Sequence, residues 1–383
     1  MPVPPAVAAL VPEMTRWRRD IHAHPEAAFE ERRTAALVAE KLRSWGIEVT
    51  EGVGRTGVVG SLTTGEGPCL GLRADMDALK IVEAEGLPHR STVQGRAHAC
   101  GHDGHVAMLL GAAKVLAESR KFKGTVRFVF QPAEELEGGA DAMVRDGLFE
   151  RFPMDEIYAL HNWPALPEGS FAAIAGPVMA ACDSFEMVVA GKGGHGAMPH
   201  LAVDPIIAGA AVVQALQTIP SRLTDPLDGV VVSVTAFQAG ESINAIPERA
   251  ILRGTVRSFR PEVRDATESH LRRIAEGAAA AHGCRLILDY KRRYPPTVNH
   301  AGPAATAARV AGALGALVAA RPSTGAEDFS YMLERTPGCY VWLGAGRGES
   351  ESGLHNPAFD FNDAVLPLGA TFWLRLAETV LAD

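Results

Sequence analysis

Residues 105–131 read HVAMLLGAAKVLAESRKFKGTVRFVFQ, and this stretch decides the fold class. Positions 105–119 are rich in Ala and Leu and free of Pro, which predicts a helix. Positions 125–131 alternate β-branched and aromatic residues and predict a buried strand. The pattern repeats outward. A helix is expected over 29–45, stopped at Gly46, with strands over 56–62 and 69–73. A helix over 138–146 and a strand over 156–161 follow. Such alternation is that of an α/β sheet with helices on its faces.

The pattern changes near Cys182. Strands are expected over 184–190, 230–237, 250–259 and 285–290, with helices over 203–219 and 261–282. This is the β-α-β-β-α-β order of a split βαβ module. After Tyr294-Pro295-Pro296 the helix and strand alternation resumes. The expected organisation is therefore an α/β domain, 1–181 and 295–383, interrupted by a small α+β domain, 182–294.

At 383 residues the chain is long enough for two domains. Its 47% hydrophobic and 21% charged residues describe a globular protein. A net charge of −8 with no basic tract argues against a nucleic-acid partner. No apolar run is expected to reach the roughly 18 residues of a membrane span. The opening Met1-Pro2-Val3-Pro4-Pro5 carries no signal-peptide pattern. Five scattered cysteines (Cys69, Cys100, Cys182, Cys284, Cys339) fit a reducing cytoplasm better than a disulfide framework.

The chemistry concentrates in HACGHDGH, 98–105. Cys100 and His102, two apart across a glycine, can turn sulfur and imidazole toward one point. Three further segments lie at or just beyond predicted strand ends: Asp75-Met76-Asp77, Glu134-Glu135 and His161-Asn162. In open α/β sheets the carboxyl ends of strands form the ligand crevice. Cys100 and His102 would join from the loop before the helix beginning near His105, and His355 from a late loop. A thiolate, imidazoles and carboxylates suit a divalent ion, with zinc the default and manganese or nickel as alternatives. Five candidate ligands exceed the four of a closed structural site. That excess fits two ions sharing ligands, or one with open positions. The neighbouring glutamates permit a division of labour, one on the metal and one free as base. His98 and His105 read as support, Asp103 as orienting an imidazole, and His22 and His24 as structural.

Nine ordered segments resemble the M20 metallopeptidases, and within them the amidohydrolase branch that includes hippurate hydrolases and N-acyl-amino-acid amidohydrolases. They are RRDIH (18–22) with Pro25-Glu26, LRADMDAL (72–79), HACGHD (98–103), FQPAEE (130–135), HNWP (161–164), GGHGAMPH (193–200), NAIP (244–247), GAEDF (325–329) and LHNP (354–357). The resemblance spans essentially the whole chain. It implies a catalytic domain with a central mixed sheet flanked by helices, and an inserted ferredoxin-like lid or dimerisation domain. It implies Cys100, His102, Glu135, His161 and His355 as metal ligands, for two divalent ions per subunit, and Glu134 as general base and acid. The wider family has a histidine two before its active-site aspartate. Here Asp75 stands there, before Asp77, and Cys100 supplies the extra ligand, so Asp77 either orients a ligand or holds its loop. His195 would bind the oxyanion, from its own or a partner subunit, which makes a homodimer or dimer-based oligomer the expected state. Asn244 and Arg257 are candidates for the substrate, the guanidinium fork suiting a free carboxylate. Glu327-Asp328 reads as a helix start or as support for the site.

The function so implied is metal-dependent hydrolysis of N-acyl amino acids. The alternatives are a dipeptidase or aminopeptidase on the same scaffold, and a non-catalytic relic that binds a small acyl amino acid.

Overall fold

The computed structural model describes residues 2–135, 137–348 and 352–382. It divides into two units: Met1–Gly176 with Val298–Arg321 and Asp328–Asp383, and Pro177–Thr297 with Pro322–Glu327. The division thus falls a few residues outside 182 and 294. The short return Pro322–Glu327 joins the second unit through its backbone: Ser323 donates to Val178 O, and Ala180 N to Ser323 O and Gly325 O.

The first unit is built on a seven-stranded mixed sheet in the order Glu48–Val53, Gly57–Thr63, Thr125–Gln131, Cys69–Asp75, Glu156–Pro167, Gly338–Gly346, Phe171–Ala172. Its four central strands are parallel, with Asp75 level with Gln131 and Trp342 level with His161. Over most of their length they are buried on both faces, and they accordingly read as mainly apolar runs. The helix His102–Ser119 is apolar on all sides and nearly every residue is buried. Helices Pro5–Ala23 and Leu366–Val380 pack against it.

That helix begins at His102, three residues earlier than the apolar pattern predicts. Gly101 adopts φ +96°, and its carbonyl accepts from Gly104 N and His105 N, closing the first turn. His102, Asp103 and Gly104 are buried polar or small residues that contribute no apolar periodicity. The helix expected from residue 29 starts at Arg32 instead, because Phe29 is left-handed (φ +60°) and cannot lie within a helix. The strand Glu156–Pro167 runs well past His161, so His161 and Asn162 sit within it.

The second unit carries a four-stranded antiparallel sheet in the order Val230–Ala239, Arg249–Ser258, Ala181–Ala190, Arg285–Arg292. Helices Pro205–Leu216 and Pro261–Ala281 complete the β-α-β-β-α-β order. Phe185, Met187, Val212, Leu252 and Leu271 lie in its core. The segment Pro205–Leu223 is long and apolar enough to cross a membrane by length and composition. In the fold its Ala208, Val212, Leu216 and Ile219 face the unit's core, while Ile206 and Ile207 are exposed.

Candidate metal centre

The strand Cys69–Asp75 is apolar except for Arg73 and the terminal Asp75, both fully buried. Buried charges persist only when paired and hydrogen-bonded, and these are. Arg73 donates to Asp75 Oδ2 (2.7 Å), to Gln131 Oε1 on the adjacent strand (2.8 Å) and to Asp328 Oδ1 (3.3 Å). Asp328 also accepts from Gln131 Nε2 and from Ala140 N. The other oxygen of Asp75 lies 2.6 Å from His105 Nδ1, and His105 Nε2 lies 2.6 Å from Asn162 Oδ1. Burial works against a charged Asp75, but His102, His105 and Arg73 outweigh it and hold the carboxyl well below the usual range.

His102 projects from the first helical turn. Its Nδ1 lies 2.9 Å from the Asp77 carbonyl, which fixes Nδ1–H as donor and aims Nε2 at the centre. Nε2 is buried and without a hydrogen-bond partner. Across from it stand Asp75 Oδ2 at 3.8 Å and Glu134 Oε2 at 4.0 Å. Burial opposes a charge on His102, yet Asp75 and Asp77 push its pKa up to about 10. An imidazole nitrogen so placed, between two carboxylates, calls for a cation. A divalent ion with nitrogen, sulfur and oxygen donors fits that requirement.

His161 Nδ1 lies 2.7 Å from Asn162 O, and its Nε2 lies 3.5 Å from Cys100 Sγ. Burial first, then the neighbouring His105, holds His161 well below its ordinary value, so the ring is neutral, as a ligand must be. Burial, with Glu135, Glu134 and Asp75 nearby, pushes the Cys100 thiol up, so it becomes a thiolate only against a cation. His355 approaches from its late loop at φ +62°. Its backbone N donates to Ala99 O, and its Nε2 lies 3.1 Å from Glu135 Oε1.

Asp77 organises the two glutamates. Its Oδ1 accepts from Glu134 N (2.9 Å) and its Oδ2 from Glu135 N (3.0 Å). With its carbonyl on His102, this one residue positions a ligand and the paired carboxylates together. The ligand atoms form three overlapping groups, each within 4.8 Å: Asp75, His102, His105 and His161; Cys100, Glu135 and His355; His102, Glu134 and Glu135. All five expected ligands and Glu134 are therefore together in the first unit. Asp75 and Asp328, both named from the sequence, join them through hydrogen bonds with Arg73, a support that residue type alone did not single out. His22, read from sequence as structural, lies between Asp103 (2.8 Å) and Glu83 (2.6 Å) in a buried ionic network with Arg18.

The remaining candidates belong to the second unit. His195 is exposed on the short strand Gly194–His195, which pairs with Ala245–Ile246. Its Nδ1 accepts from Ala197 N, leaving Nε2 as the N–H donor. Asn244 neighbours it, its carbonyl accepting from Gly196 N. Arg257 bonds Thr255 Oγ1 and the Val256 carbonyl and makes no ion pair among the described residues.

Imidazoles, a thiol and paired glutamates gathered from strand, loop and first helical turn make a site suited to a divalent metal beside a free carboxylate. Residues 71–379 match Peptidase family M20/M25/M40. The chain is 41% identical to N-acetylcysteine deacetylase of Bacillus subtilis, over 96% of this chain and 97% of that protein. It is 41% identical to hippurate hydrolase of Campylobacter jejuni, over 97% and 98%. The crystal structure of Bacillus subtilis YXEP protein, described as a dinuclear metal binding peptidase from M20 family, superposes with a TM-score of 0.86 at 37% identity, covering 98% of this chain and 99% of that one. This chain belongs to peptidase family M20, and it is an amide hydrolase that uses divalent metal.

Proposed function

We propose that this enzyme cleaves the amide bond of N-acyl amino acids, giving a carboxylic acid and a free amino acid. The observation that carries the reading is the divided glutamate pair. Glu135 faces His355, while the buried Glu134 faces His102 Nε2, with both amides fixed by Asp77. Cys100, His102, Glu135, His161 and His355 would hold the metal, two ions per subunit in our reading, as zinc, manganese or nickel. When bound, the metal supplies Lewis acidity to the scissile carbonyl and lowers the pKa of water. Glu134 takes the proton of the attacking water on its carboxylate and delivers it to the departing nitrogen. The exposed Nε2–H of His195 is the form an oxyanion donor requires. Arg257 and Asn244 are the candidates for the substrate carboxylate. The names of the relatives, an N-acetylcysteine deacetylase and a hippurate hydrolase, support this substrate class.

Steady-state kinetics on hippurate and N-acetylcysteine against free dipeptides, with Glu134→Gln alongside, tests the reading. The N-acyl substrates should be preferred, and the variant should lose roughly 10²–10⁴ in kcat while keeping its metal. Preference for free dipeptides, or full activity in Glu134→Gln, refutes it. We further propose a cytoplasmic homodimer. The exposed apolar residues Ile207, Val231 and Phe237 on the second unit support the dimer, and light scattering tests it.

A further inference from the structure

Glu31 is fully buried and lies far in sequence from every candidate metal ligand and from Glu134. Its Oε1 accepts from Phe29 N at 2.9 Å and from Ala133 N at 2.8 Å. Its Oε2 accepts from Thr56 Oγ1 at 2.5 Å. Ala133 is itself buried and left-handed, at φ +52°, a conformation disfavoured for a residue with a Cβ and kept only where its surroundings enforce it. The next two amides, Glu134 N and Glu135 N, go to Asp77. Three consecutive amides thus end on two buried carboxylates, and the carbonyl of Ala133 accepts from Gly139 N. The turn is fixed from every side.

We infer that Glu31 is a positioning residue for the catalytic turn, holding Ala133 left-handed so that Glu134 and Glu135 address one centre. It touches neither substrate nor ligand. The inference rests on the proposed roles of Glu134 and Glu135. It also makes a distinctive prediction about which substitutions the site accepts. A glutamine has the same reach: its Oε1 can accept both amides while its Nε2 donates to the Thr56 hydroxyl. An aspartate keeps the charge but, one methylene shorter, cannot span Ala133 N and Thr56 together. If Glu31 acted through charge, aspartate would be the better replacement. If it acts as a tether, glutamine is.

Glu31→Gln and Glu31→Asp are compared by kcat and KM on hippurate and by calorimetric titration of the metal-free protein with manganese. Circular dichroism checks that each is folded. Glu31→Asp should lose about 10²-fold in kcat with KM little changed, and about tenfold in manganese affinity. Glu31→Gln should restore both to near the wild-type values. Wild-type kcat and metal affinity in the Asp variant, or Asp above Gln in either measurement, overturns the proposal. If the Asp variant does not fold, the Gln variant decides: a loss of kcat like that expected for Asp overturns the proposal, and near-wild-type kcat supports it. Wild-type enzyme runs in the same assay. Its failure to turn over hippurate and N-acetylcysteine would instead remove the underlying reading of Glu134.

Discussion

Gly101 lies between the candidate ligands Cys100 and His102, and replacing it by alanine should damage both fold and site. Its φ of +96° is a conformation alanine avoids, at a cost of about 1–2 kcal/mol. A Cβ there would lie 2.3 Å from Asn162 Oδ1 and 2.9 Å from its Cγ. Asn162 has little freedom to retreat, since it is fully buried and its Oδ1 is engaged by His105 Nε2 at 2.6 Å. Overpacking of this kind costs about 1–3 kcal/mol, so the total is about 3 kcal/mol. For a unit of this size that lowers Tm by roughly 6–12 °C. Scanning calorimetry of metal-free wild type and Gly101→Ala measures the shift, and manganese titration should show weaker binding. A fall in Tm under about 2 °C with unchanged metal affinity would refute the reasoning, because the Asn162 contact would then be one the loop absorbs freely.

Asp77→Asn should turn an amide NH2 toward Glu134 N or Glu135 N, costing about 1–3 kcal/mol of stability and about 10²-fold in kcat; steady-state kinetics and Tm check this. His22 is pushed up to about 9: burial pulls it down, but Asp103 and Glu83 outweigh that. Its folded pKa exceeds the unfolded 6.5, so its contribution, at most about 3 kcal/mol, is fully present below pH 6.5 and lost as pH rises through 9. The Tm advantage of wild type over His22→Gln should shrink from pH 6 to pH 9.5, and a constant difference would refute the assignment. In the second unit, buried Asp183 accepts from Arg264, Tyr290 and Arg293 N. Arg264→Met leaves that carboxylate without its cation and should cost about 3–5 kcal/mol, measured by urea unfolding.

The α/β order was legible because the strands Cys69–Asp75 and Thr125–Gln131 are mostly apolar, and the helix His102–Ser119 is apolar from Val106 to Ala117 except for Lys114. Its first turn was not, because His102 and Asp103 are spent on the site rather than on the core. The candidate metal ligands declared themselves by type: cysteine, histidines and paired glutamates are costly to bury without a task. Glu31 did not. In Phe29-Glu30-Glu31 it looks like a solvated helix start, and its function depends on Ala133, 102 residues away. Arg73 is of the same kind, ordinary by type and defined by partners such as Gln131 and Asp328 that the sequence does not bring near it. The return of Pro322–Glu327 to the second unit rests on backbone hydrogen bonds, which carry no side-chain signature.

The main segment of the second unit, Pro177–Thr297, carries adjacent strands near its two ends. Asp183 stands opposite Arg292 in the register, and Cys182 N and O bond Tyr294 O and Arg293 N. Apart from the short return Pro322–Glu327, the chain therefore enters and leaves this module through one narrow gate. An insertion whose ends meet adds little closure entropy to its host, however long it is. Such a module can be lengthened, exchanged between relatives or excised across a short splice while the host sheet keeps its connectivity. The candidate metal ligands are encoded entirely outside the gate, and His195, Asn244 and Arg257 entirely inside it. Under the proposed roles of His195, Asn244 and Arg257, a lineage could thus remodel what the enzyme accepts by swapping the block of gene between the two gate strands, the host sheet left as it is.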